Sequence, residues 1–375
     1  MTRPTVAEVA CPSCGAVALA ADRFCETCGT TLSPTEDSSP APAPTADADA
    51  SAPEPGACVK CGAAPERIDG DGYCQECGFK QPSPRDHQEI DLGAAAGVTD
   101  RGLHHRRNED AMALAWVADP TLVAVVCDGV STSIDPDIAS QAAADAAAAV
   151  LADAVHQRPD QLEQATVDAV AAAQAAVTSL VYEPDGLLPA PSCTFVSAVV
   201  HDGRVTLGWL GDSRAYWLGP PRAQRLTTDD SWATEMVAAG SMTEEEAEAD
   251  DRAHSITRWI GSDSPDGPPH VTTFEPPAGP GSLLVCSDGL WNYAPGADRI
   301  AELAGAIGGN DDDGHAHGTG GTDGTDGPAG RGTPSALAVA RHLTDFARDA
   351  GGHDNITVLV IPIDPAGPPQ ETPPA

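Results

Sequence analysis

Lysine is almost absent from this 375-residue chain, with Lys60 and Lys80 its only two, and Lys and Arg together number 20 against 56 Asp and Glu. The resulting formal charge of −36 argues against nucleic acid or an anionic membrane as partner, because both are bound through clustered cations. Aromatic residues are scarce, at 4%, so a core must come from aliphatic runs, which begin in earnest at Leu122. No run of eighteen or more apolar residues occurs, which argues against a membrane-spanning helix. Met1 to Ala10 carries one cation, Arg3, with no apolar run behind it. No secretory leader is therefore expected, and the protein is assigned to the cytoplasm.

Cysteine, by contrast, is concentrated. Of eleven, eight fall into four C-x-x-C pairs near the N-terminus, a spacing that reads as metal ligation in a chain with no export signal. Cys11 and Cys14 precede Cys25 and Cys28; Cys58 and Cys61 precede Cys74 and Cys77. A glycine follows every pair (Gly15, Gly29, Gly62, Gly78), where a positive φ turns amide hydrogens toward sulfur. Four thiolates make a closed tetrahedral site suited to structural zinc. The expectation is two zinc ribbons, residues 8–32 and 56–80, each holding one Zn²⁺. Between them, residues 33–55 are rich in Pro, Ala, Asp and Ser without apolar periodicity, as a disordered linker would be.

From about residue 90 the patterning changes. Leu122 to Cys127 reads as a buried strand ending at Asp128-Gly129. Asp135-Pro136 opens an Ala-rich helix to about Val155, and a second helix runs from about Asp160 to Val181. His201-Asp202-Gly203 joins two apolar runs, Thr194 to Val200 and Arg204 to Leu210, as a hairpin. Further strands are expected at Ala215 to Leu218, Ser282 to Cys286 and Asn355 to Ile363, with a helix from Ser335 to Ala350. The class is α+β, since the elements do not alternate as βαβ units. Residues 308–332 read as a disordered insertion and 366–375 as a disordered tail.

Acidic motifs punctuate this region: Asn108-Glu109-Asp110, Asp128-Gly129, Gly211-Asp212-Ser213-Arg214, Asp288-Gly289 and Asp354-Asn355. A single Asp-Gly after a strand is ordinarily a turn. Two of them, each closing a buried apolar run (LVAVVCDG and SLLVCSDG), place carboxylates where burial costs several kcal/mol unless a cation compensates. Oxygen-only ligands favour hard ions such as Mg²⁺ or Mn²⁺.

The series R-x-N-E-D (Arg106 to Asp110), D-G, G-D-S-R, S-D-G-L (Ser287 to Leu290) and G-x-D-N-I-T (Gly352 to Thr357) resembles the motifs of the protein phosphatase type 2C, or PPM, family across residues 90–365. The resemblance implies a central β-sandwich of two antiparallel sheets flanked by helices, and hydrolysis of phosphoserine and phosphothreonine by a metal-activated hydroxide. It implies that Asp128 bridges two Mn²⁺ or Mg²⁺ ions and that the Gly129 carbonyl ligates the second. Asp288 and Asp354 complete the first, and Asp212 helps hold a weaker third. Glu109 and Asp110 act mainly through bound water, and Asn355 orients Asp354. Phosphoproteins, and the serine/threonine kinases whose action would be reversed, are the implied partners of a monomeric enzyme.

The family's phosphate-binding Arg is here His105, leaving Arg106 or Arg107 to supply the guanidinium. Val130-Ser131-Thr132 stands where many members have a Gly pair, and Val130 where some have a His. Buried Cys127, Cys193 and Cys286 read as small apolar residues, and Ser231 to Gly261 as a variable flap beside the cleft. The alternative function is a catalytically impaired phosphatase-like scaffold that binds partners through its ribbons.

Overall fold

The structure, a computed structural model, describes residues 8–10, 17–19, 56–69, 72–118, 120–184, 186–306 and 334–364. The first ribbon's four cysteines, the 33–55 linker, the 308–332 insertion and the 366–375 tail lie outside the described residues. The chain divides into two compact units, Met1–Gln81 and Pro82–Ala375. In the first, β1 (Glu8–Ala10) and β2 (Val17–Leu19) pair antiparallel, and residues 56–81 form a second cysteine-bearing module.

The second unit is a sandwich of two wholly antiparallel sheets. Its strands are β3 (His87–Asp91), β4 (Ala96–Asp100), β5 (Asp110–Ala118), β6 (Thr121–Asp128), β7 (Ser192–Cys193), β8 (Phe195–His201), β9 (Arg204–Leu210), β10 (Arg214–Leu218), β11 (Gln224–Arg225), β12 (Ile260–Gly261), β13 (His270–Phe274), β14 (Gly281–Cys286) and β15 (Ile356–Ile363). One sheet has the order β11-β10-β14-β15-β4-β3, the other β13-β9-β8-β6-β5; β7 and β12 form a small separate pair. Helices α1 (Pro136–Gln157) and α2 (Leu162–Thr178) pack on the second sheet. Helices α5 (Asp288–Trp291), α6 (Ala297–Gly305) and α7 (Ala336–Asp349) pack on the first. Two short helices, α3 (Trp232–Ala238) and α4 (Glu244–Glu248), lie within the flap.

Period-two alternation explains why the central strands are apolar throughout. Along β6, Leu122, Ala124 and Val126 enter the layer between the sheets, while Val123, Val125 and Cys127 face the α1–α2 layer. On β14, Leu283 and Val285 point inward between sheets, whereas Leu284 and Cys286 meet the opposite helices. With both faces covered, each strand needs apolar residues at every position. Alanine lets α1 approach closely: Ala139, Ala143, Ala144, Ala147 and Leu151 are buried. By length and composition α1 is apolar enough to cross a membrane, contrary to the expectation from apolar run length, yet this face is spent on the core.

The sheet starts at His87, upstream of the expected boundary at residue 90. Strand β3 escaped the sequence reading because it is an edge strand whose residues are mostly exposed and polar, so neither apolar alternation nor an apolar run marks it. Strand β13, also an edge, alternates weakly for the same reason.

Candidate metal centre

Antiparallel pairing gathers the acidic motifs. In such a sheet the end of one strand lies beside the start of its neighbour. Asp110, first in β5, pairs with Asp128, last in β6. Arg214, first in β10, pairs with Cys286, last in β14, and Cys286 in turn pairs with Val358 near the start of β15. Asp212 follows β9, Asp288 opens α5 directly after β14, and Asp354 precedes β15. Residues distant in sequence thereby meet at one end of the sandwich.

Close approach dictates two glycines there. A Cβ on Gly129 would stand 2.5 Å from the Pro136 carbonyl and 2.7 Å from that of Glu109. A Cβ on Gly289 would lie 2.0 Å from the Asn355 carbonyl.

The carboxylates act on one another strongly. Burial, followed by the charges of Asp110, Asp288, Asp354 and Asp212, drives the pKa of Asp128 well above the ordinary range. Asp288 shifts the same way, through burial and then Asp354, Asp212 and Asp110. Burial pushes Asp212 up to about 7, helped by the charge of Asp229 and opposed by Arg214. Asp110 rises to about 6, mainly by burial, although Thr357 and Ser287 donate to its Oδ2 over 2.7 and 2.8 Å. Asp110 Oδ1 and Asp288 Oδ1 are buried with no hydrogen-bond partner. Buried acceptors without donors and mutually repelling carboxylates are what a bound divalent cation would relieve. The residues fit such an ion.

The loop before β5 is tied to this cluster by Asn355. Its Oδ1 accepts the Glu109 amide at 2.6 Å, and its Nδ2 donates to the carbonyls of Arg101 and Arg107 at 2.8 and 3.1 Å. Its own amide donates to Asp354 Oδ1 at 2.8 Å. Glu109 accepts from Ser131 Oγ (2.6 Å) and Arg107 Nε (3.2 Å). Burial alone would raise its pKa, but His105, Ser131 and Arg107 together hold it below the usual value. His105 lies between two carboxylates, 3.2 Å from Asp354 Oδ1 and 3.6 Å from Glu109 Oε2. Arg107 also reaches Asp137, at 3.1 Å, whereas Arg106 is exposed.

Several supporting residues had been assigned no role from sequence. Arg214 of the G-D-S-R motif is buried, donates to Asp229 from Nε (3.0 Å) and Nη2 (2.6 Å), and lies 3.5 Å above the Trp291 ring. The indole of Trp291 donates to the Asp212 carbonyl at 2.9 Å. Arg214 is thus a strut behind Asp212. Arg85 donates to the carbonyls of Asn108, Asp110 and Asp137 and to Gln141 Oε1, over 2.9–3.1 Å. It pins the motif loop to the start of α1. Its surroundings in sequence are polar and aperiodic, so no local signal marks it.

In the first unit, Cys58, Cys61, Cys74 and Cys77 bring their sulfurs within 4.8 Å of one another, the one such set among the described residues. Two Sγ–Sγ distances are 3.7 Å (Cys58–Cys77) and 3.6 Å (Cys61–Cys74). A tetrahedron with metal–sulfur bonds of about 2.3 Å has edges of about 3.8 Å, so these two distances match the edges of a zinc site. Gly62 and Gly78, at φ 72° and 70°, close the two knuckles with amide bonds back to the Cys58 and Cys74 carbonyls. The acidic oxygens are spread more widely, which suits ions that retain water ligands.

Comparison with known proteins agrees with this division. A model described as "Protein phosphatase 2C" matches residues 101–305, and one described as "Double zinc ribbon" matches residues 11–78. The chain is 28% identical to the serine/threonine phosphatase stp of Listeria innocua over 205 residues, covering 53% of this chain and 79% of that one. It is 29% identical to the serine/threonine protein phosphatase PstP of Mycobacterium tuberculosis over 270 residues, 72% of this chain and 44% of that one. The catalytic domain of PstP, solved in complex with two manganese ions, superposes with a TM-score of 0.54 at 25% identity, covering 72% of this chain and 98% of that domain. With more than half its length matched by that model and its fold shared, this chain belongs to the protein phosphatase 2C family.

Proposed function

We propose that this protein is a metal-dependent serine/threonine phosphatase that removes phosphate from phosphoserine and phosphothreonine in proteins and so opposes protein kinases. The observation that carries the reading is the convergence of Asp110, Asp128, Asp212, Asp288 and Asp354, two of them with buried oxygens lacking any donor. Asp128, the Gly129 carbonyl, Asp288 and Asp354 would hold two Mn²⁺ or Mg²⁺ ions, and Asp212 would share a third with Asp288. Such ions supply an activated water nucleophile and neutralise the phosphoryl oxygens. The manganese complex of the related catalytic domain supports that ion class.

This chain's own groups do the rest. Asn355 and Arg85 hold Glu109 and Asp110 in place. Arg107, placed against Glu109 and partly exposed, is the guanidinium positioned to meet an incoming phosphate, and a planar fork suits that dianion. His105 bridges Glu109 and Asp354 and holds the two at a set spacing. No protein nucleophile is involved: Cys127, Cys193 and Cys286 are fully buried, and burial raises the pKa of Cys127 and of Cys286. Each ribbon would take one structural Zn²⁺.

The test is hydrolysis of a phosphothreonine peptide by the full chain. Activity should require Mn²⁺ or Mg²⁺, vanish with EDTA and vanish in Asp288→Asn. Undiminished turnover by metal-free protein or by that variant refutes the assignment.

A further inference from the structure

Asp229 and Asp230 are adjacent and buried, yet they serve different neighbours. Asp229 is the counter-ion of Arg214. Asp230 clamps Gly211, the residue before Asp212, at two points. Its Oδ2 accepts the Gly211 amide at 3.0 Å, and its own amide donates to the Gly211 carbonyl at 2.9 Å. Gly211 sits at φ 94°, and a Cβ there would come within 2.9 Å of Thr194 Cγ2. The turn therefore has little freedom of its own, and its two backbone polar groups are both held by one residue.

The other side of Asp230 faces the flap. Its carbonyl accepts the Thr257 amide at 2.8 Å, and the flap's two limbs are closed next to it by a bond from the Trp232 amide to the Ser255 carbonyl at 2.9 Å. Oδ1 lies 2.8 Å from His270 Nε2, whose ring stacks on Trp209 at 4.9 Å, and 3.6 Å from the Arg258 guanidinium. Flap, edge strand β13 and the Asp212 turn thus share a single carboxylate.

We infer that Asp230 is the positioning residue that couples the flap, residues 231–261, to Asp212, and thereby sets the affinity of the weakest divalent ion in the centre. The inference rests on the metal role proposed above for Asp212. A carboxylate 3 Å from its donors loses roughly a factor of ten in the coupled equilibrium when such a charge-assisted bond is removed.

The experiment is calorimetric titration of the metal-stripped full chain with Mn²⁺, alongside trypsin cleavage at Arg252 and Arg258 within the flap. Wild type should show a tighter and a weaker phase. Asp230→Ala should weaken the weaker phase about tenfold or more, leave the tighter phase in place and speed flap cleavage. Asp230→Asn, which keeps an oxygen for the Gly211 amide, should restore most of the weaker phase. Arg258→Ala, cutting only the flap side, should weaken that phase to a lesser degree, and it decides the matter should Asp230→Ala not fold. An unchanged weaker phase in Asp230→Ala or Arg258→Ala, or loss of both phases together, overturns the coupling. Absence of Mn²⁺ binding in wild type instead removes the proposed function itself.

Discussion

Without metal, the phosphatase unit should become less stable as pH rises, and divalent ions should abolish that trend. Asp110 and Asp212 titrate at about 6 and about 7 in the folded chain, against about 3.9 when unfolded. A carboxyl with the higher pKa when folded holds more protons in that state between the two values, so stability present below about pH 4 is lost as pH rises toward 7. Deprotonating Asp212 removes about 4 kcal/mol at most and Asp110 about 3, at roughly 1.4 kcal/mol per pKa unit. The two do not add, because they share one field. From pH 6 to pH 8 a net loss of about 2 kcal/mol at most is expected, a fall in Tm of about 4–6 °C for a unit of this size. The assay is differential scanning fluorimetry of stripped protein across that range, with and without saturating Mn²⁺. Asp288→Asn adds a second reading, since it deletes one of the repelling charges. It should raise the metal-free Tm at pH 8 by a few degrees while losing most of the gain from Mn²⁺. A metal-free Tm that is flat or climbs between pH 6 and 8 refutes the account of the cluster as mutually destabilising carboxylates.

Other outcomes follow from particular contacts. Deleting residues 1–81 should leave hydrolysis of a small aryl phosphate within about twofold, since the second unit is compact by itself, whereas deleting 1–89 removes Arg85 and most of β3 and should cost several kcal/mol of stability through charged hydrogen bonds of about 1.5–3 kcal/mol each. Equal behaviour of the two truncations in thermal unfolding would deny Arg85 its role. Arg107→Ala should raise KM for a phosphopeptide about tenfold, and Arg106→Ala less than about threefold; the reverse order assigns the phosphate to Arg106. Zinc released by a mercurial should amount to two ions per chain in wild type and one in Cys61→Ser, and a count unchanged by that substitution contradicts ligation by the second ribbon.

The fold was legible where burial is two-sided. The runs at Leu122 to Cys127 and Ser282 to Cys286 announced β6 and β14 because both faces are covered, and Arg204 to Leu210 matched β9 end to end. Edge strands such as β3 were illegible, being solvated and polar. At the site, acidic residues at strand ends were conspicuous because a carboxylate beside a buried run demands a reason. Their supporting groups were not. Arg85 acts through backbone carbonyls, which carry no side-chain identity for a pattern to register. Arg214 and Asp230 stood inside or near visible motifs, but which of two adjacent aspartates each neighbour chooses depends on how β9, β10 and the flap pack, and that is a tertiary fact.

A chain of formal charge −36 that handles an anionic phosphate must settle the conflict at short range. At physiological ionic strength charges are screened beyond about 8 Å, so the acidic surface at large contributes little at the aspartate cluster. Within that radius the balance is different. The clustered aspartates are the dominant local acidic groups when no ion is bound, and those that are ionised would repel a phosphate as well as one another. Divalent ions bound there would reverse the local sign, and Arg107, tethered by Glu109 and Asp137, would add a positive charge nearby. The same carboxylates that are expected to weaken the metal-free fold would thus make affinity for phosphate conditional on metal. Binding of the ions and binding of the substrate would then be one electrostatic event, held in register by strand ends that antiparallel pairing brings together.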